Sequence, residues 1–335
     1  MTIRELLRAR LHFQGLESPV FKTPADMIRY FGAVQAQDFF GSLWAVGQRV
    51  AGATETTVEA ALNEGKIVRS WPMRGTLHLT APEDLRWMLD LLGPRAMAKS
   101  VSYQRGMGLT KKDFVKSRSI FERELQKKTL DRNEIYQVLE DKGVDTANTR
   151  GLHIIGQMAR EKVICFGPRK GKQPTFVLLD EWIPNSKKLS QEESLAELSL
   201  RYFTSHGPAT VHDFAWWSGL TVTDAARGLD MVQSKLRQDE NCWMPKEKFK
   251  MNGKLFVRLL PAYDEFLVAY KQRDDMRSIF SPAVVVNGRV VGTWKRTLSK
   301  KGVKLDVKSS DKSVSKAALQ TQLKRYADFI GYIRL

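Results

Sequence analysis

The chain has 335 residues, of which 54 are Lys or Arg and 37 are Asp or Glu, giving a net charge of +17. An apolar fraction of 42% beside 27% charged residues excludes a disordered chain, and the length allows more than one core. No apolar run reaches the roughly 18 residues a membrane helix needs, and the early charges Arg4 and Glu5 do not suit a secretory signal. Cys165 and Cys242 are too far apart in sequence to suggest a metal motif or a disulfide framework, and their scarcity suits a reducing cytoplasm. The charge is uneven: −1 over residues 1–65, +8 over 66–132, −2 over 133–245 and +12 over 246–335. Two basic segments flank a neutral middle, which fits a polyanion groove better than a uniformly solvated lysine surface.

In chain order, residues 2–15 read as a short helix with Leu6, Leu7 and Leu11 at helical spacing. Thr23-Pro24 reads as an N-cap followed by proline at the first helical position. The next helix places Met27, Phe31 and Val34 on one stripe, with Ile28 and Gln35 at its edge. A third helix spans Thr57 to Asn63, closed by Gly65. The segment KIVRSWPMRGTLHLT, residues 66–80, reads as a hairpin or wing around Pro72 and Gly75, and Pro82 opens a helix through Leu92. Three short helices and then a β-ribbon is the order of a winged helix.

The order recurs. Helices are predicted over 112–126, 130–142 and 146–162, then strands over 163–166 and 175–179 around a basic tip, Gly167 to Gln173. A third copy has helices over 191–205, 210–218 and 221–229, then Cys242-Trp243 and Leu255–Leu260 flanking a basic turn, Lys246 to Lys254. The copies are structural, with no textual repeat at a fixed period. The tail reads as a β-hairpin over 283–294 with an Asn287-Gly288 turn, a strand over 302–307 and an amphipathic helix over 315–330. The predicted fold class is α+β and mainly helical. It has three tandem winged-helix units, at 1–110, 111–189 and 190–262, and a basic hairpin-and-helix extension at 263–335.

The stretch FGAVQAQDFFG, residues 31–41, sets two neutral amides, Gln35 and Gln37, in an apolar context. A buried amide left unsatisfied costs roughly 1–3 kcal/mol, so these residues are either tightly networked or a site. Asp38 beside them suits a cap or turn, and is the alternative for activating water. Elsewhere, His206 and His212 lack zinc spacing and read as cap or core residues. Trp216-Trp217 reads as core. Asp264-Glu265 could pass for an acid/base pair but reads as structural or as support for a neighbouring catalytic group, because adjacent side chains on one element diverge. No Gly-rich phosphate loop or Ser-His-Asp order is visible.

Five stretches carry a family likeness: QAQ at 35–37, RSWPMRGTLH at 69–78, GPATVHDFAWWSGL at 207–220, LLPAYDEFLV at 259–268 and NGRVVGTWKR at 287–296. In this order they resemble the bacterial tandem winged-helix DNA glycosylases of the AlkZ/YcaQ type, in the branch with Gln-x-Gln at the catalytic position. That family removes bulky N7-alkylated purines and unhooks interstrand crosslinks. The resemblance implies Gln35 and Gln37 as catalytic residues. The chemistry suggests that Gln37 holds the attacking water and Gln35 helps with water or sugar, with Asp38 the runner-up for activating the water. On the predicted first wing, Arg69, Trp71, Arg74, Thr76 and His78 are candidates to line a lesion pocket or meet phosphates, positions 74, 76 and 78 sharing a face if the strand is regular; the alternatives are a core aromatic for Trp71 and a structural histidine for His78. Asn287, Arg289, Lys295 and Arg296, followed by Lys300 and Lys301, make the tail hairpin a candidate DNA probe. The implied partner is double-stranded DNA with alkylated purines or crosslinks. No metal, cofactor or membrane is expected, and no lysine is placed for lyase chemistry. The expected protein is a cytoplasmic, nucleoid-associated monomer. The competing reading is a non-enzymatic winged-helix regulator, but its recognition helix would hold only Arg150, Arg160 and Lys162 with acids at its edges, which is poor for reading a major groove.

Overall fold

The computed structural model describes residues 1–249, 255–271, 279–299, 302–309, 311 and 314–332. Lys250 and Lys254 of the expected third basic turn, and Lys300 and Lys301 of the tail hairpin, lie outside the described residues. The chain is α+β and divides into two compact units, residues 61–195 and residues 1–60 with 196–335. The division into 1–110, 111–189, 190–262 and 263–335 concerns local supersecondary order and stays a proposal. The chain passes between the units within helices Glu55–Asn63 and Gln191–His206, close to the expected helices at 57–63 and 191–205.

In the unit 61–195, strands Val68–Met73 and Thr76–Thr80 pair antiparallel, Ser70 opposite His78 and Met73 opposite Thr76. The register slips between Ser70 and Met73, where Pro72 has no N–H for the ladder. The expected shared face of 74, 76 and 78 is corrected: Arg74 and Gly75 form the turn, at φ 55° and 76°. After a 3-10 turn at Pro82–Asp84, helix Leu85–Gly106 runs 22 residues, well past the expected end at Leu92. Pro94 lies inside it. The strong helix formers Ala96, Met97, Ala98 and Lys99 sustain it across the missing hydrogen bond.

Helices Lys111–Glu124 and Arg132–Asp141 each begin with a capping box, Thr110 with Asp113 and Asp131 with Glu134. Helix Arg150–Arg160 is the third. They bury Ile120, Phe121, Leu125, Ile135, Leu139, Ile154, Ile155 and Met158 in one apolar cluster. Strands Ile164–Phe166 and Thr175–Leu178 pair antiparallel against this cluster, Cys165 opposite Val177, and the short strand Leu130–Asp131 adds a third member.

In the other unit, helix Ile3–Phe13 starts at a Thr2–Glu5 capping box. Helix Pro24–Phe31 starts as expected at Thr23, whose side chain accepts from the Asp26 N–H. It ends earlier than the apolar stripe suggests. Gly32 takes φ 81°, which only glycine adopts readily, and Ala33–Gln35 continue as a short strand. Val34 and Gln35 therefore are not on the helix. A helix missing from the sequence reading follows, Phe39–Gly47, which buries every residue from Gly41 to Gly47. An element apolar on all sides has no amphipathic period to detect.

Helices Val211–Ser218 and Val222–Val232 match expectation, and both begin at threonine caps. The third wing is corrected: Cys242–Pro245 pairs with Leu236–Asp239 across a turn at Glu240, not with the strand near 257–260. Strand Val257–Leu260 instead pairs with Ala283–Val286 at the edge of a four-stranded antiparallel sheet. Arg289–Ser299 and Gly302–Ser309 follow in that sheet, with Asn287-Gly288 as the turn between the second and third strands. Helix Lys316–Ile330 packs Tyr326 and Phe329 against Trp44 of the Phe39–Gly47 helix. Among the described residues no helix is long and apolar enough to cross a membrane.

Candidate active site

Gln35 ends the Ala33–Gln35 strand and is 8% exposed, whereas Gln37, two residues on, is exposed. The chain leaves the interior between them and enters the Phe39–Gly47 helix, with Asp38 at its N-cap position. The exposed Asp38 side chain makes no capping hydrogen bond. It folds over Gly41, where a Cβ would stand 2.7 Å from Asp38 Oδ2, so a side chain there would push the carboxylate aside.

The strand is held from behind. The Gln35 N–H donates to Glu265 Oε1 at 2.6 Å. Glu265 is fully buried, and its Oε2 accepts from Trp217 Nε1–H at 2.8 Å and lies 3.2 Å from His206 Nε2. His206 Nδ1 lies 2.7 Å from Ser205 Oγ, and its ring stacks on Tyr202 at 4.9 Å. Burial lowers the His206 pKa from its ordinary value, more strongly than the bond to Glu265 raises it, so the imidazole is neutral near pH 7.

Next to Glu265, Asp264 is gripped by Arg49 through two bonds, Nη2 to Oδ1 at 2.7 Å and Nη1 to Oδ2 at 2.9 Å, with both side chains fully buried. Arg49 also donates to the Gln14 and Ala45 carbonyls and to Gln14 Oε1. The reading of Asp264 and Glu265 as buried partners rather than an acid/base couple agrees with this geometry. The topological link from Glu265 to Gln35 has no signal in the sequence, because 230 positions separate them.

On the exposed side, Phe40 is 37% exposed and the Arg296 guanidinium lies 5.7 Å from its ring centroid. Arg296 also donates to the Tyr326 hydroxyl. Burial raises the Tyr326 pKa, and the charge of Asp38 adds a smaller push in the same direction. Lys295 and Arg289 are exposed on the long hairpin strand. Asn287 turns inward: its Oδ1 accepts from Arg8 Nη1 at 2.9 Å and from the Phe256 N–H at 3.1 Å.

In the unit 61–195, Trp71 is half-buried and stacks on Phe166 at 5.0 Å, with the Arg69 guanidinium 4.8 Å from the same ring. His78 is fully buried. Its Nδ1–H donates to the Thr76 carbonyl at 2.9 Å, which leaves Nε2 as the acceptor facing Arg74 Nη2 at 3.4 Å. Trp217 is core as expected, but Trp216 is 38% exposed and donates to the Val268 carbonyl. His206 is core, whereas His212 is exposed. Among the described residues no three His, Cys, Asp or Glu side chains group as a metal site would require.

A family model described as DNA glycosylase AlkZ-like matches residues 28–329, from the helix before the Gln-x-Gln stretch to the last turn of the C-terminal helix. The chain belongs to the AlkZ-like DNA glycosylase family. As an AlkZ-like protein it is a DNA glycosylase and its substrate is DNA. It is 24% identical over 322 residues to the interstrand DNA cross-link repair glycosylase of Streptomyces sahachiroi, covering 87% of each chain. The solved structure of Streptomyces sahachiroi DNA glycosylase AlkZ superposes with a TM-score of 0.82 at 22% identity, covering 100% of this chain and 98% of that one. The AlkZ-like fold thus extends over the whole chain, including the 27 residues ahead of the family match.

Proposed function

We propose that this glycosylase hydrolyses the N-glycosidic bond of bulky cationic N7-alkylguanine and N3-alkyladenine adducts in double-stranded DNA, and that it unhooks interstrand crosslinks built from them. The relative in Streptomyces sahachiroi, an interstrand DNA cross-link repair glycosylase, supports the crosslink arm. The observation that carries the chemistry is the pair of uncharged amides, one buried and anchored, the next exposed, with no histidine or lysine in the Phe31–Gly41 stretch.

Such a base already carries a positive charge. When the bond from N9 to C1′ breaks, the electron pair goes to the purine and neutralises it, so no strong general acid is required. The sugar becomes oxocarbenium-like, a water oxygen bonds to C1′, and the water's proton passes to solvent. Gln37 accepts a hydrogen bond from that water and points its lone pair at C1′, while Gln35 helps hold the water or the sugar. Asp38 places a negative charge beside the developing cation. The gain comes from positioning and electrostatics rather than proton transfer.

Arg289, Lys295 and Arg296 then meet phosphates. Arg69, Trp71, Arg74, Thr76 and His78 are proposed to serve the DNA-facing side of the hairpin they share. With Asn287 bonded to Arg8 and Phe256, the DNA-probe role of its turn rests on Arg289. The protein is proposed to act as a monomer in the bacterial cytoplasm, at the nucleoid.

The test is incubation with duplexes carrying one N7-methylguanine or one nitrogen-mustard crosslink, followed by alkali. The native chain is expected to give cleaved strand at the lesion and a folded Gln35→Ala/Gln37→Ala chain almost none. Equal product from both removes the assignment of the glutamines, and none from the native chain removes the substrate.

A further inference from the structure

We infer that Glu265 is a positioning residue for base excision, setting the Gln-x-Gln stretch by gripping the Gln35 backbone; this rests on the glutamine reading above. Three groups converge on its carboxylate: the Gln35 N–H at 2.6 Å, Trp217 Nε1–H at 2.8 Å and, in the tautomer protonated at Nε2, His206 Nε2–H at 3.2 Å. A carboxylate accepts from all of them because it has acceptors only. The corresponding amide would have to turn an NH₂ group toward at least one N–H donor. The site therefore specifies a carboxylate by chemistry and not by size.

The support beneath Glu265 is equally specific. It is the first residue of helix Glu265–Val268, whose cap, Asp264, accepts from the Phe266 N–H at 2.9 Å. Asp264 is in turn clamped by the buried Arg49. Just before it, Tyr263 holds φ 61°, a left-handed backbone that a non-glycine side chain disfavours. A strained residue, a clamped cap and a buried carboxylate in a row form a rigid arm. The arm ends on the backbone of Gln35, and a hydrogen bond to backbone fixes where the next side chains point, Gln37 included. A slip of about 1 Å in such a stretch is enough to slow chemistry by up to about a hundredfold.

The test uses the full chain with a duplex bearing one N7-methylguanine. It measures melting temperature, affinity for that duplex and single-turnover base release for Glu265→Gln, in the native background and in Gln35→Ala/Gln37→Ala. Expected is a loss of base release of at least about tenfold with affinity held within about twofold. The same change should then alter the residual rate of the double-alanine chain by less than about twofold, because residues acting as a unit are not additive. A folded Glu265→Gln chain with native base release overturns the inference. So does an equal loss in both backgrounds, or affinity lost in step with rate. Trp217→Phe, which removes one donor and leaves the carboxylate, serves if Glu265→Gln does not fold. It should slow release severalfold at unchanged affinity, and native release in that chain counts against the inference. Absence of release by the native chain is read in a separate arm and defeats the substrate reading itself.

Discussion

The two units bury their polar groups in opposite ways. The unit 61–195 has an apolar centre of Ile, Leu, Phe, Val and Met, and its fully buried acid, Asp84, pairs with Lys187, whose side chain is 41% exposed. The other unit sets its fully buried acids against partners that are buried as well. Arg49 meets Asp264 with neither exposed, and Glu265 meets His206 with neither exposed. Apolar packing needs little beyond volume and pattern, whereas a buried charge forfeits several kcal/mol of hydration and survives only when its partners are in place. The costlier interior is the one attached to the glutamine strand. The comparison teaches that precision in this molecule is concentrated behind Gln35, and that the unit 61–195 is built for shape.

The largest expected effect tests that contrast directly. Asp264→Ala removes the carboxylate that balances the buried Arg49 guanidinium, and should destabilise its unit by about 3–5 kcal/mol in denaturant unfolding. Arg49→Met/Asp264→Leu should recover most of that loss, since an apolar pair is often as stable as a buried ion pair. It should still release base slowly, because the cap beneath Glu265 is gone. Ile155→Ala, at 1% exposure in the apolar unit, should cost about 2–5 kcal/mol. Its base release, measured where it is folded, should stay close to native. Equal damage to catalysis from both units would break the comparison.

A smaller effect is pH dependence. The folded-state pKa of His206 is lowered by burial from the ordinary 6.5, so the native state binds its proton less readily than the unfolded chain. Its contribution to stability is full above pH 6.5 and is lost as pH falls below that value. The unfolding midpoint should therefore drop between pH 7 and pH 5 and recover in part in His206→Gln, whereas a pH-independent difference between the two chains would show that folding does not shift the His206 pKa. Smallest is the salt response. Lys295→Ala should reduce the slope of log affinity against log salt by about 0.9 if that side chain neutralises one phosphate. An unchanged slope removes it from the interface.

Much of this was legible in the residues. Caps and turns were readable because a single side chain sets them: Thr23-Pro24 opens a helix and Asn287-Gly288 reverses a strand. The three helices of 111–160 were readable from their apolar period. Helix Phe39–Gly47 was not, because it is apolar on all faces, and the strand at Ala33–Gln35 was hidden by a helical stripe that Gly32 interrupts. The pairing of Cys242–Pro245 with Leu236–Asp239 was hidden because the turn at Glu240-Asn241 has neither Gly nor Pro to mark it. At the candidate site, Gln35 and Gln37 stood out in sequence. Trp217 and His206 looked structural, and Glu265 looked structural or a support with no named target, since only the folded chain brings positions 206, 217 and 265 to position 35.

The most direct measurement is single-turnover release of N7-methylguanine from a defined duplex by the native chain and by Gln35→Ala/Gln37→Ala, with both shown folded and both binding that duplex. The account predicts a rate lower by roughly a hundredfold or more in the double-alanine chain, on the scale of removing an electrostatic and positioning element from an active site. Matching rates in the two proteins would contradict it.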